Sequence, residues 1–390
     1  MAHSDKDFAL PIQGYVQWPV GTGDSTTVCM SDDMVMQIDV HHLAMSEEDG
    51  DPHTPIVDRL VQHLPKRGKR PYLSVFVLTH PDKDHCLGFE KLLKEVEIGE
   101  LWFSPRIFRE YKKDLCPDAL AFRKEAVRRV QKTIQAKGDV ASGDKVRIIG
   151  YDDLLKEEEY REFPRGCFSI PGHEVVEFDG VDLSDRCRVF LHGPFKDSSE
   201  EERNDCSIAM QVRLDVEGAC SYLMFLGDHC YPTVKRIFEL SDDEDVKWNI
   251  FLSPHHCSKS VMYWRDAGQE SESLKQDVLD LIEGAAQNPG YIVASSEPIP
   301  GSNQSGDNPP HAKAKARYQE IVPTDFLCTQ EHPNSEQPHP IVFEATRNGF
   351  VYLKPTKETQ QKTVATLAAA ASTARGSSAP PSSRVGFGEK

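Results

Sequence analysis

The 390-residue sequence carries ten cysteines but no Cys-x-x-Cys pair, which argues against a zinc ribbon or a thioredoxin-like motif. Its apolar runs, such as 73–79, fall far short of the roughly 20 residues that a membrane span needs, and mean hydropathy is −0.50. Residues 1–7 lack a basic stretch followed by an apolar one, so no signal peptide is expected. The expectation is a soluble cytoplasmic chain with free thiols and no membrane partner. There is no Gly-x-Ser-x-Gly elbow, and Gly21-x-Gly23-Asp24-Ser25 lacks the lysine of a P-loop, which sets aside serine-hydrolase and P-loop nucleotidase chemistry. Cations are in deficit: 45 Lys and Arg face 62 Asp and Glu, a net charge of −17. That balance argues against coating nucleic acid by bulk charge.

What is present alternates. Short apolar runs at 13–17, 26–30, 34–40, 73–78, 101–105, 187–191, 207–214, 221–226, 248–252, 291–294 and 325–328 read as strands. Helical spacing marks 56–64, 88–96, 118–135, 231–240 and 272–284. The α/β alternation runs to about residue 355. From 356 to 390 Ala, Ser, Thr and Pro dominate, which predicts a disordered tail.

Chemistry-bearing residues cluster where predicted strands end. Thr79-His80-Pro81-Asp82-Lys83-Asp84-His85 follows one apolar run, with two imidazoles and two carboxylates within six residues. Divalent metals need several N and O donors converging at about 2 Å, and a turn can aim alternate side chains at two neighbouring points. Gly227-Asp228 ends a second run, and His255-His256 ends a third. Three strand ends presenting metal-type donors are more specific than any one, because α/β sheets place their sites at strand C-termini.

With these residues in view the chain resembles the metallo-β-lactamase-fold hydrolases, and within them the ComEC-type branch of DNA-uptake nuclease domains and their soluble relatives. The resemblance rests on Gly21-Thr22-Gly23-Asp24, His80-x-Asp82-x-Asp84-His85, Asn204-x-x-Ser207, Gly227-Asp228, His255-His256-Cys257-Ser258 and Pro310-His311, in order over about residues 13–353. Asp82 replaces the wider family's second loop histidine, as it does in this branch. Cys257 stands where glycine is usual, and Cys206 where asparagine is.

The resemblance implies an αββα sandwich of two mixed sheets with helices outside and metals at one edge. It implies two divalent ions, Zn²⁺ or Mn²⁺, the carboxylate of Asp82 favouring Mn²⁺ as well as Zn²⁺. One ion would take His80, Asp82 and His192; the other would take Asp84, His85 and one of His255 and His256, with His255 preferred, and Asp228 would bridge. The remaining histidine of the pair, His256, would orient a ligand or donate to substrate. Asp39, Asp24 and His311 would support the ligands from behind. His41, His42, His173 and His229 read as structural. Two such ions lower the pKa of a shared water toward neutrality, so no protein nucleophile is required; Asp84, Asp228 and His256 would form the catalytic core.

The substrate implied is a phosphodiester, with nucleic acid first. Residues 106–147 hold twelve Lys and Arg against six Asp and Glu, a +6 block beside the metal loop, with Phe103, Phe108 and Tyr111 interleaved for base stacking. Residues 106–165 read as a variable insertion over the site, with Lys112 and Lys113 as substrate-binding cations. Asn204, Ser258 and Lys259 would contact substrate. The alternatives are a hydrolase of small esters or cyclic nucleotides, and a catalytic or accessory subunit that docks partners through residues 356–390. Soluble members of the branch often belong to bacterial antiviral defence systems, so a defence role is implied by resemblance alone.

Overall fold

The computed structural model describes residues 8–196, 204–302 and 308–354; the tail read as disordered lies outside them. By internal contacts, Ala9–Leu353 forms one unit.

Two large sheets organise the chain. The larger runs, by strand range, in the order 349–352, 341–346, 14–17, 26–31, 34–38, 70–78, 97–103, 145–149, 168–169. Its first members are antiparallel, and from Met34–Ile38 onward the pairings turn parallel, with Met36 beside Val75 and Val77 beside Trp102. The smaller sheet runs 325–328, 286–294, 248–252, 219–225, 210–216, 187–191, 174–175. Here Leu223 pairs with Ile250 and Phe251 with Ile292 in parallel.

One buried apolar cluster draws on both sheets. Tyr15, Val28, Met36, Val75, Val77 and Trp102 come from the larger, and Val189, Met210, Val212, Leu223, Phe225 and Ile250 from the smaller. Strand residues alternate between faces, so each sheet has a second apolar face. On the smaller sheet Met224, Trp248, Phe251 and Ile292 pack with Val234, Ile237, Leu279, Ile282 and Tyr318 of helices Tyr231–Leu240, Gln276–Ala285 and Ala312–Ile321. On the larger, Phe76 meets Phe89 and Phe122, with ring centroids 4.9–6.1 Å apart. These rings come from helices Phe89–Glu95 and Pro117–Gln135.

Most predicted elements appear with ends shifted by one to five residues. The apolar run at 207–214 forms a strand only from Met210 to Val216, because residues 204–206 make a 3₁₀ turn. The helix read at 272–284 starts at Gln276, after a two-residue strand, Ser273–Leu274. Among the elements not foreseen are helix Ala312–Ile321, strand Lys145–Ile149, and the hairpin of Ile341–Thr346 with Gly349–Tyr352. The segment 106–165, expected as an insertion, contributes to the larger sheet and its cover. Helix Pro117–Gln135 covers the larger sheet and Lys145–Ile149 pairs in parallel with Glu97–Phe103, so both belong to its framework.

Among the described residues, no helix is long and apolar enough to cross a membrane.

Candidate metal centre

Parallel pairing brings the C-terminal ends of several strands to one edge of the unit. Asp39 follows Met34–Ile38, His80 follows Arg70–Leu78, Asp228 follows Ala219–Phe225, and His255 and His256 follow Trp248–Leu252. Asp84, His85, Asp228 and His256 offer ligand atoms that all lie within 4.8 Å of one another.

Asp228, 3% exposed, sits at the centre. Its Oδ1 lies 3.3 Å from His85 Nε2 and 3.9 Å from His256 Nε2. Its Oδ2 lies 3.6 Å from His80 Nε2 and 3.8 Å from His255 Nε2. Asp84 Oδ2 is 3.2 Å from His256 Nε2, and Asp82 Oδ2 is 3.8 Å from His80 Nε2. The two oxygens therefore face two groups: Asp84, His85 and His256 on one side, His80, Asp82 and His255 on the other.

Three imidazoles are held from behind. His85 Nδ1 is 2.7 Å from Asp39 Oδ2, and that carboxylate also accepts from the Thr79 amide at 2.8 Å and hydroxyl at 2.6 Å. His256 Nδ1 lies 3.1 Å from the Ser295 carbonyl. His80 Nδ1 lies 3.1 Å from Thr79 Oγ1 and 3.2 Å from Ser207 Oγ. The opposite nitrogens, Nε2 of His80, His85 and His256, and Asp228 Oδ1 are buried without a hydrogen-bond partner. Buried polar atoms are rarely left so, and these four, gathered at the two oxygens of Asp228, are donors that cations would satisfy. The residues therefore fit a divalent metal: nitrogen and oxygen donors, each histidine fixed through its other nitrogen.

The charges agree. Burial alone would depress His85, but Asp228, Asp39 and Asp84 hold it well above the usual imidazole range. Against the same burial, Asp228 and Asp24 push His256 up to about 10. Asp228 resists the upward push of its burial and is held well below the carboxylate range by His85, His256 and His80. Burial raises Asp39 to about 6, although His85 and Thr79 oppose it. In the metal-free cluster, protons on His85 and His256 supply the positive charge that the carboxylates require.

Two glycines permit this packing. A Cβ on Gly23 would stand 2.2 Å from His41 Nδ1 and 2.8 Å from the Asp84 carbonyl, which accepts the Asp24 amide at 3.1 Å. A Cβ on Gly227, at φ +52, would stand 2.6 Å from Ser207 Cβ. The His-His turn is itself strained: His255, His256 and Cys257 have φ of 49, 53 and 66. Left-handed backbone disfavours residues with a Cβ, and all three of these carry one.

The structure corrects several residue expectations. His192 stands at its strand end but points away: Nδ1 lies 2.9 Å from Ser241 Oγ and Nε2 3.0 Å from the Asp245 carbonyl. The cause is strand alternation. Val189 and Leu191 face the inter-sheet core, so His192 shares the other face with Phe190, ring centroids 4.9 Å apart. Burial lowers it to about 4. The preference for His255 beside Asp84 and His85 is reversed, since His256 occupies that place. His255 instead takes the side expected of His192. Ser258 is buried and its Oγ accepts from the Ser260 amide, capping the next turn. Lys259 pairs with Glu272 at 3.1 Å. His311 braces the turn, its amide donating to the Cys257 carbonyl at 3.1 Å and its Nδ1 accepting from the Lys259 amide at 3.2 Å. Asp24 lies 3.6 Å from His256 Nδ1 and 4.0 Å from His85 Nδ1. Asn204 opens the turn that positions Ser207, whose amide donates to the Asn204 carbonyl at 3.1 Å.

Of the histidines read as structural, His41 contacts the Val20 carbonyl, His42 pairs with Glu47, and His173 is exposed. His229 is buried with neither ring nitrogen hydrogen-bonded, Nδ1 4.0 Å from Asp205. Sequence reading missed Ser295, which no motif flags, and Thr79, whose place before His80 was the available signal.

The +6 block is largely committed elsewhere. Arg129 is 2% exposed and donates to the carbonyls of Gly99, Ile98 and Lys145. Arg128 and Lys132 pair with Asp144, Arg109 with Glu157, and Arg106 with Glu110. Phe103 and Phe108 pack edge to face. Lys112, Lys113 and Tyr111 are exposed.

No family model matches the chain, and no curated protein matches it. Among solved structures, an archaeal metallo-β-lactamase superfamily protein from Sulfolobus tokodaii is similar at 14% identity with a TM-score of 0.30, over 70% of this chain and 86% of that one.

Proposed function

We propose that the protein is a metal-dependent hydrolase with two divalent cations at this edge, built on the αββα sandwich of the metallo-β-lactamase fold. The observation that carries the reading is the set of orphaned buried donors, Nε2 of His80, His85 and His256, gathered around the two oxygens of Asp228. Asp84, His85 and His256 with Oδ1 of Asp228 would hold one cation; His80, Asp82 and His255 with Oδ2 would hold the other. Zn²⁺ and Mn²⁺ both suit such a mixed nitrogen and oxygen set. A bound pair activates water near neutral pH and stabilises the charge that develops in hydrolysis. The chain's own work is positional. Asp39, Ser295 and Ser207 with Thr79 fix three imidazoles, Asp24 stands behind two of them, and His311 holds the strained turn.

The substrate class we favour is a phosphodiester, as the motif resemblance implies, with Lys112 and Lys113 as exposed cations of the segment 106–147. A small phosphodiester or cyclic nucleotide is the second reading, because most cations of 106–147 pair internally and leave little basic surface for a polymer. Docking of partners through 356–390, and a place in a defence system, are further proposals that unchanged partner recovery from a 356–390 deletion would oppose. The test of activity is a panel of single- and double-stranded DNA and RNA, cyclic nucleotides, small phosphodiesters and carboxylic esters, with Mn²⁺, Zn²⁺ or Mg²⁺. Cleavage of phosphodiesters that is lost in Asp84→Ala is expected. A metal-loaded protein that cleaves only carboxylic esters would sink the phosphodiester reading.

A further inference from the structure

Cys86 follows His85 directly and closes the short helix Lys83–Cys86 of the metal loop. Its Sγ donates to the Asp82 carbonyl at 3.1 Å and lies 3.5 Å from Sγ of Cys116. Cys116 belongs to another part of the chain. It is the N-cap of helix Pro117–Gln135, and its Sγ accepts the Ala119 amide at 3.4 Å. The two thiols differ in access: Cys86 is buried, Cys116 partly exposed. Cys86 beside it, then the helix amides, draw the Cys116 thiol down to about 6 against its partial burial. A capped helix N-terminus stabilises a thiolate. A partly exposed thiol at a helix N-terminus with a buried thiol beside it is the arrangement of an attacking and a resolving cysteine.

We infer that Cys86 and Cys116 are a peroxide-oxidisable dithiol that closes to a disulfide against the metal loop. The Cys116 thiolate attacks one oxygen of a hydroperoxide; the S–O bond forms, the O–O bond breaks, and water or the alcohol leaves after taking a proton. The Cys86 sulfur then displaces the oxygen of the Cys116 sulfenic acid, which departs as water with the Cys86 proton. The dithiol loses two electrons and the peroxide gains them. The step does not depend on the hydrolase reading. Its consequence is that the turn bearing Asp82, Asp84 and His85 becomes covalently tied to helix Pro117–Gln135.

The experiment uses the full chain, reduced and then exposed to equimolar hydrogen peroxide, quenched with an alkylating reagent and digested for mass spectrometry. A cross-linked peptide joining Cys86 to Cys116 is expected, formed about tenfold faster than oxidation at Cys167 or Cys220, whose thiols burial pushes up. In Cys86→Ser, a dimedone adduct at Cys116 is expected in place of the cross-link. Full alkylation of both thiols after peroxide, or oxidation first at another cysteine, would overturn the inference.

Discussion

The strand-end edge and the segment 106–147 both announce themselves in the sequence by dense polar chemistry, yet the fold treats them oppositely. At the edge, buried donors are left facing one another: His80, His85 and His256 each have one nitrogen anchored and one unsatisfied around Asp228. In the segment, Arg106, Arg109, Arg128, Arg129 and Lys132 are satisfied, by Glu110, Glu125, Asp144 and Glu157 and by the carbonyls under Arg129. Unmet demand in a buried place marks function, whereas met demand marks architecture. The composition of a segment does not distinguish the two; the partners do.

The comparison can be broken most forcefully at its centre. Asp228→Asn should abolish hydrolysis and bound metal while the fold persists, because the amide keeps the shape and removes the charge; retention of metal by this variant would refute the division of its two oxygens. Asp39→Asn acts one shell further out and should lower metal affinity by about 10- to 100-fold, read by chelator competition. The segment should respond in the opposite currency. Arg129→Met leaves three carbonyls short of a donor and should cost on the order of 3 kcal/mol of stability, measured by denaturant unfolding, with metal content per folded chain unchanged.

A pH titration gives a smaller effect with a definite sign. In the metal-free cluster His256 is pushed up to about 10 and so carries a proton at neutral pH. Metal binding needs the neutral imidazole and must release that proton. Affinity should therefore rise from pH 7 toward 10 and fall as pH drops, with proton uptake or release followed in weakly buffered calorimetry. Proton-neutral binding at pH 7 would contradict the assignment of His256.

The strands and most helices were legible because periodicity and apolar runs record burial directly. The hairpin at 341–352 and the helix at 312–321 were not foreseen. Ala312–Ile321 carries four Lys and Arg or Glu side chains among small residues, and its buried positions are Ala314, Tyr318 and Ile321, a faint stripe. The edge was legible as a set of strand-end donors, since chain order and spacing survive in sequence. Which member of the pair His255 and His256 faces Asp84 was not, because three consecutive left-handed residues rotate the turn in a way spacing does not encode. His192 failed for the same kind of reason: its strand end is right, but the face is decided by the alternation that buries Val189 and Leu191. The net charge of 106–147 overstates its free cations because Glu157 and Glu100, the partners of Arg109 and Arg147, and the carbonyls of residues 98 and 99 that take Arg129 lie outside the counted window.

The central claim is that the orphaned donors around Asp228 exist to hold cations. Elemental analysis of purified protein, beside Asp228→Asn and His192→Asn, tests it most directly. The account predicts two divalent ions per chain in the native protein, loss of both in Asp228→Asn and no loss in His192→Asn. A native chain that takes up no divalent metal from Zn²⁺ or Mn²⁺ solution, or one whose metal departs with His192, would contradict it.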